Sequence, residues 1–457
     1  MSGDTEIYHY EYKRRMKMAI ITNRPKGTQD VVPAEAYKWQ TVERCAAETA
    51  ECYGFREIRF PTFENTALFK RSVGDTTDVV QKEMYSVTAK SPANGKDPDD
   101  FTLRPEGTAG AARAAIENGL LNDALPQKVY YIISCFRHEK PQAGRLREFH
   151  QFGAEMYGSG DASADAEMIA LAKSLLDRLG LDNVELFINS IGCPTCRAEY
   201  HKALKEFFNS RKDELCPTCL DRLERNPMRI LDCKSPICQG IAKDAPVILD
   251  FLCEECSEHF EKLKSSLSAM DIEFSINPKI VRGLDYYTKT VFEFITNDIG
   301  AQGTVCGGGR YDGLIEQLGG NPTPALGFAM GLERLIMTME NKGAEFVPAK
   351  KCDLYIAAMG DKAREKSVVM AKQLRDEGYR AEFDTMNRGI KPQMKYANKI
   401  GAAFVIVLGD NELESGIVKL KNMSSGEQVD VALDDNFIDN FSNIFVAEMF
   451  SGGESLA

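Results

Sequence analysis

The spacing of apolar residues divides the chain at NKGAEFVPAKK, residues 341–351, which reads as a linker. Before it, helical and extended patterns are interleaved behind a variable N-terminal arm of about twenty residues. Val42, Cys45, Ala46, Thr49, Cys52 and Tyr53 recur at helical spacing and predict a helix started by Pro33 and ended at Gly54, with one buried face. FREIRF (55–60) predicts a strand stopped by Pro61. FTLRPEGTAG (101–110), reached through a hairpin-type turn at SPANGKDPDD, predicts a strand with Thr102, Arg104 and Glu106 on one face, turning at Gly107 and Thr108 into a helix over 109–118. KVYYIISCFRHEKPQAGRLREFHQFGAEMYG (128–158) predicts two antiparallel strands around a polar loop with Pro141 and Gly144. Residues 163–179 carry an amphipathic helical pattern, and 190–271 are helical and charged. Alternation returns in VRGLDYYTKTVFEFI (281–295), where a turn at Arg282-Gly283 precedes a strand whose Val291 and Glu293 oppose Thr290, Phe292 and Phe294. A hairpin through 297–300 leads to GTVCGGGRYDGLIEQLGG, and 325–340 predicts a helix with a stripe of Gly327, Met330, Gly331 and Arg334. Beyond the linker, five short strands alternate with helices over 362–376 and 391–399, the pattern of a small α/β domain. Residues 434–457 read as an acidic tail or end helix.

The central pair of strands carries the chemistry. Period two puts Arg137 and Glu139 on one face of the first strand, and Arg147, Phe149, Gln151 and Glu155 on one face of the second. A face with cations, acids, an amide and one ring is too polar for a core. It suits a ligand that is part phosphate, part flat ring and part ammonium, such as a nucleotide with an amino acid. Thr108 reads equally as a helix cap or a ligand contact. Arg334 on an otherwise packed face points to a phosphate or a buried carboxylate.

Size and charge narrow the field. The chain has 457 residues, 43% hydrophobic, with a formal net charge of −12 and a pI of about 5.2. That excludes binding nucleic acid by bulk electrostatics and leaves room for a local basic groove. No apolar run approaches a membrane span and no signal-peptide core is present, so the expectation is a cytoplasmic protein, with 13 cysteines reduced or bound to metal. Eight of them fall within 190–275. Cys193, Cys196, Cys216 and Cys219 form C-x2-C-x19-C-x2-C, a spacing that suits one tetrahedral zinc; Cys233, Cys238, Cys253 and Cys256 form a less regular second set. The alternative is a thiol-rich helical insert that holds no metal.

RPKGTQD, FTLRPEGTAG, FRHEKPQAGRLREFHQFGAE, VRGLDYYTKTVFEF and ALGFAMGLERL follow one another as they do in histidyl-tRNA synthetases, and the sequence resembles that family over nearly its whole length. The resemblance implies an α+β fold of the class II synthetase type: an antiparallel sheet flanked by helices, a helical Cys-rich insert, and a C-terminal α/β domain of the anticodon-binding kind. The expected division is 1–189 and 276–341 for the catalytic core, 190–275 for the insert, 352–433 for the C-terminal domain and 434–457 for the tail. The implied activity is ATP-dependent ligation of L-histidine to tRNA(His) through histidyl-adenylate, by a homodimer, with magnesium accompanying ATP and no membrane partner. By the same resemblance Arg282 and Arg137 are catalytic, at the α-phosphate. ATP contacts fall on Arg137, Glu139, Arg145, Phe149 and Arg334. Histidine contacts fall on Glu106, Gly107, Thr108, Gln151, Glu155, Tyr286 and Tyr287, with Glu106, Thr108 and Gln151 toward the ammonium and Glu155 and Tyr287 toward the imidazole. Lys140, Gln142 and Arg147 would reach the acceptor end of the tRNA.

The rival expectation is an inactive paralogue acting as the regulatory subunit of ATP phosphoribosyltransferase. Such subunits typically lack the C-terminal domain and have eroded motifs, whereas Arg137, Arg282, Tyr286, Tyr287 and Arg334 are all present here.

Overall fold

The computed structural model describes residues 23–74, 77, 79–88, 100–280, 282–298, 303–349 and 351–451. The N-terminal arm, most of SPANGKDPDD and the end of the expected hairpin at 297–300 lie outside these residues. The chain divides into two compact units, Met1–Val347 and Pro348–Ala457.

In the first unit the strands are β1 (Arg56–Glu57), β2 (Phe63–Asn65), β3 (Tyr85–Val87), β4 (Phe101–Leu103), β5 (Gln127–Phe136), β6 (Glu148–Tyr157), β7 (Glu185–Ser190), β8 (Ser275–Ile276), β9 (Thr288–Ile295), β10 (Thr304–Arg310) and β11 (Ala325–Gly331). Eight form one sheet in the order β1-β5-β6-β11-β10-β9-β7-β8. It is antiparallel except at its outer pairs, β1 with β5 and β7 with β8. A small sheet β2-β4-β3 lies apart from it.

The long hairpin β5–β6 is built by alternation. Phe152, Ala154 and Met156 of β6 join Tyr130 of β5 in a core with Val42, Ala46 and Ala50 of the helix Pro33–Cys52 and with the helices Ala162–Arg178 and Leu332–Lys342. The odd-numbered residues Tyr131, Ile133 and Cys135 of β5 pack on the opposite face with Ala111 of the helix Thr108–Glu117 and with Phe149. That opposite face is the polar one.

Two elements differ from the sequence reading. The helix expected over 325–340 is a strand, β11, followed by the helix Leu332–Lys342. Both edges of β11 are hydrogen-bonded, to β6 and to β10. Leu326, Phe328 and Met330 enter the core at period two, which leaves Gly327, Ala329 and Gly331 on the polar side. The glycine stripe at helical spacing was a coincidence of this second period. β5 ends at Phe136 and β4 at Leu103, so Arg137, Glu139, Arg104 and Glu106 lie beyond strand ends and strand alternation does not orient them. Of the two readings of the segment after 433, tail or end helix, the structure has the helix, Phe437–Ser451, with Phe437 and Phe441 buried.

The insert is made of the helices Pro194–Asn209, Pro217–Arg225, Pro236–Ile241 and Glu254–Ala269. Its Tyr200, Leu204, Phe208, Leu223 and Ile230 share a core with Tyr286 and Tyr287. The second unit is a five-stranded sheet of β12 (Leu354–Ala358), β13 (Ala381–Phe383), β14 (Phe404–Leu408), β15 (Ile417–Asn422) and β16 (Gln428–Ala432), ordered β13-β12-β14-β15-β16. Its first three neighbours are parallel and the rest antiparallel.

Candidate active site

A cleft of about 350 Å³ opens on the polar face of the large sheet. Glu106, Thr108, Arg137, Glu139, Arg145, Phe149, Gln151, Arg282, Tyr286, Tyr287 and Arg334 line it, so segments separated by more than two hundred residues of chain meet there. Glu155 and Gly107 do not line it. Glu155 is fully buried beneath the floor, and Gly107 is backed onto the ring of Tyr131, where a Cβ would come within 2.3 Å. Lys140 and Gln142 are exposed in the hairpin loop, and Arg147 donates from Nε to the Glu139 carbonyl at 3.1 Å.

One end of the cleft is cationic. Arg137 donates from Nε to the Pro105 carbonyl at 2.8 Å, and Arg334 donates to the carbonyls of Gly144 at 3.1 Å and Thr304 at 2.6 Å. Backbone carbonyls thus position these two guanidiniums, and Arg145 is ion-paired with Glu139. Burial, then the charges of Arg145 and Arg137, lower the pKa of Arg334. Cations crowded in this way are relieved by a polyphosphate. The Arg137 guanidinium also lies 5.2 Å from the Phe149 ring centroid.

Arg282, also in the cleft lining, is ion-paired with Glu293 and lies 5.5 Å from the Tyr287 ring. Burial works against its charge, but Tyr287 and Glu293 more than compensate and its pKa rises. The room for this guanidinium comes from Gly307.

Beneath the floor lies a buried acid among hydroxyls. Glu155 Oε1 accepts from Thr108 Oγ1 at 2.9 Å and from the Tyr131 hydroxyl at 2.8 Å; Oε2 accepts from the Tyr311 hydroxyl. Burial pushes the carboxyl up to about 8 despite these donors. Tyr286 and Tyr287 lie with ring centroids 4.7 Å apart, and Tyr311 is 5.4 Å from Tyr286. Thr108 is therefore a side-chain partner of Glu155, while the helix start is capped by Glu106, which accepts from the Thr108 and Ala109 amides at 2.7 and 2.9 Å. Burial raises the Glu106 pKa against those bonds. Gln151 accepts from the Cys135 thiol at 3.3 Å. A planar ring carrying N–H groups and an ammonium would meet acceptors here, with a triphosphate toward the arginines.

Sequence reasoning missed Tyr131, Tyr311, Glu293 and Glu333. Tyr131 carried a signal, since it faces Gly153 across the hairpin and shares a face with Glu155. Tyr311 sits in GGGRYDG, where the three glycines drew attention away from the ring. Glu333 anchors His150, accepting from its backbone amide at 2.9 Å, with His150 Nδ1 3.0 Å away.

The predicted zinc quartet is divided. Cys193 and Cys196 converge with Cys253 and Cys256, while Cys216 and Cys219 converge with Cys233 and Cys238. Spacing alone joined the two Cys-Pro-Thr-Cys pairs, but the helices fold the first onto the C-x2-C pair Cys253/Cys256 and the second onto Cys233 and Cys238. Among the described residues no helix is long and apolar enough to cross a membrane.

A family model described as "Histidyl-tRNA synthetase" matches residues 27–195 and 241–335, and one described as "Anticodon binding domain" matches 353–443. The histidine--tRNA ligase of Acetivibrio thermocellus is 53% identical, covering 91% of this chain and 98% of that protein. The histidine--tRNA ligase of Clostridium novyi is 53% identical over 92% of this chain and 99% of its own. The apo histidyl-tRNA synthetase of S. aureus superposes with a TM-score of 0.78 at 37% identity, covering 92% of this chain and all of that one. A Bacillus halodurans protein titled as an ATP phosphoribosyltransferase regulatory subunit/histidyl-tRNA synthetase has a TM-score of 0.61 at 21% identity over 85% of this chain, and shares the fold. Matched in both of its units and more than half identical to curated relatives along nine-tenths of its length, this chain belongs to the histidyl-tRNA synthetase family.

Proposed function

We infer that this protein ligates L-histidine to tRNA(His), forming histidyl-adenylate from histidine and ATP and then passing the histidyl group to the tRNA. The observation that carries the reading is a single cleft with three arginines at one end, over a buried carboxyl ringed by hydroxyls. In the first step the histidine carboxylate attacks the α-phosphorus of ATP and pyrophosphate leaves. Arg137 and Arg282 neutralise charge developing on the α-phosphate oxygens. Arg334 and Arg145 hold the outer phosphates, Phe149 offers a face for adenine, and the backbone near Glu139 borders the base. Glu106, Thr108 and Gln151 surround the ammonium.

Glu155 is assigned to imidazole recognition together with Tyr287, Tyr286 and Gly107 in the wall behind it. Glu155 reaches the cleft through Thr108, which lines it and donates to the carboxyl at 2.9 Å, so the buried acid orients the hydroxyl that meets the ring. A flat ring without nitrogens would offer no polar atom to the hydroxyls around that group, a larger loss than that of a missing methylene. Magnesium enters with ATP as part of the substrate. Lys140, Gln142 and Arg147, in the loop next to the cleft, are assigned to the acceptor end of the tRNA, and the second unit to the anticodon. A cytoplasmic homodimer fits the same reading. Nothing in the cleft favours the regulatory-subunit alternative, which has no need of the intact arginines.

The test is transfer of labelled histidine to a tRNA(His) transcript. Charging that requires ATP and fails with other tRNAs is the expected result; no acid-precipitable histidine from folded protein would overturn the reading.

A further inference from the structure

We propose that the insert holds two zinc ions in tetrathiolate sites, and that its eight cysteines pair in nested order, Cys193/Cys196 with Cys253/Cys256 outside and Cys216/Cys219 with Cys233/Cys238 inside. In each quartet all four sulfurs lie within 4.8 Å of one another. Cys193 and Cys196 Sγ are 3.6 Å apart, and Cys216 and Cys233 Sγ 3.8 Å. Zinc–sulfur bonds of about 2.3 Å place tetrahedral sulfurs about 3.8 Å apart, so each quartet has the size of a shell around one ion. The separations are far above the ~2.05 Å of a disulfide, and all eight cysteines are free.

The local backbone is arranged for thiolates. Cys193, Cys216 and Cys253 each occupy the position before a helix, Pro194–Asn209, Pro217–Arg225 and Glu254–Ala269 respectively. The cysteine three residues on then falls in the first turn, and both sulfurs of a C-x2-C pair meet at the positive end of the helix. Amides point at sulfur as well: Cys253 N–H donates to Cys196 at 3.1 Å, Cys216 N–H to Cys238 at 3.3 Å and Ser235 N–H to Cys233 at 3.4 Å. Such amide bonds orient and stabilise metal-bound sulfur. The inner helices are short, six and nine residues, and a metal supplies the cross-link that so small a core lacks.

The outer site closes the base of the insert, and that base is bonded to the segment carrying Tyr286 and Tyr287. Arg197, one residue after Cys196, donates to the Tyr287 carbonyl at 3.0 Å. Lys289 N–H donates to the Gly192 carbonyl at 3.0 Å, and Ile191 N–H to the Lys289 carbonyl at 2.7 Å. The outer zinc is thus a positioning element for the imidazole wall, a consequence that rests on the proposed function; the two sites themselves do not.

Metal analysis of the full protein purified without chelator should give two zinc ions per chain. Iron in their place, or zinc at only a small fraction per chain, would overturn the proposal. The double variant Cys253→Ser, Cys256→Ser should keep one zinc and show a several-fold higher KM for histidine with little change in that for ATP. Retention of both zincs would overturn the nested pairing, and an unchanged histidine KM the positioning role. Should that variant fail to fold, wild-type protein exchanged with cobalt(II) serves instead: two cobalt ions per chain with intense tetrahedral and thiolate charge-transfer bands are expected, and weak octahedral bands would overturn the assignment.

Discussion

A Cβ on Gly307 would stand 2.4 Å from both terminal nitrogens of Arg282. The glycine therefore creates the seat of the guanidinium, between Glu293 and the Tyr287 ring. Gly307→Ala should displace Arg282 without exposing any core side chain. We expect adenylation to fall by about 10²–10³, the usual effect of removing one transition-state charge donor, with circular dichroism and unfolding midpoint close to wild type. Arg282→Ala should fall as far, and the double variant little further, because both changes remove the same group.

The second prediction concerns Glu155. Glu155→Gln should raise the KM for histidine at least tenfold more than that for ATP, read by pyrophosphate exchange at varied concentrations of each. Tyr311→Phe removes one donor to the same carboxyl and should act in the same direction by a smaller factor, of order tenfold or less, as for one hydrogen bond. Equal effects on both substrates would remove Glu155 from the imidazole assignment.

The same carboxyl gives a pH dependence of stability. Its folded pKa of about 8 lies above the ordinary carboxylate value, so between pH 5 and 8 the folded state binds more protons than the unfolded one. The stability it contributes is complete below the unfolded pKa and is lost as pH rises toward 8. Wild type should lose thermal stability relative to Glu155→Gln across that window, and parallel melting curves would contradict the shift.

A buried ion pair supplies the fourth prediction. Arg310 and Asp165 are both essentially inaccessible, and the guanidinium also bonds Asp312 at 3.0 Å and the Ser159 carbonyl at 2.8 Å. Although burial opposes it, His259 and Arg310 hold the Asp165 carboxyl below its usual pKa. Asp165→Asn leaves a buried cation underpaired and should destabilise by about 3–5 kcal/mol. The depressed pKa means that Asp165 stabilises above the ordinary carboxylate range and loses that contribution as pH falls below it. The gap between the urea midpoints of the two proteins should be smaller near pH 3 than at pH 7.

Much of this arrangement could be read from the chain alone, where one rule governed each element. The β5–β6 hairpin follows strict alternation, and Phe149, Gln151 and Glu155 share a face for that reason. In the second unit Leu354–Ala358 and Phe404–Leu408 were visible as short apolar runs, and Ile417–Asn422 and Gln428–Ala432 by their alternation of apolar and polar residues. Failures occurred where long-range pairing decided. Ala325–Gly331 has helical and extended periods superposed, and only its place between β6 and β10 selects the strand. Gly327 is required there because a Cβ would fall 1.7 Å from Glu155 Oε2, a contact between residues 172 positions apart in sequence and invisible locally. The cysteine pairing failed for the same reason, since loop closure is indifferent to the regularity of spacing.

The most direct test is exchange of pyrophosphate into ATP, run with each of the twenty amino acids in turn. Exchange with histidine alone is the result that the three arginines and the buried Glu155 predict. Exchange with none from folded protein, or equally well with another amino acid, would contradict them.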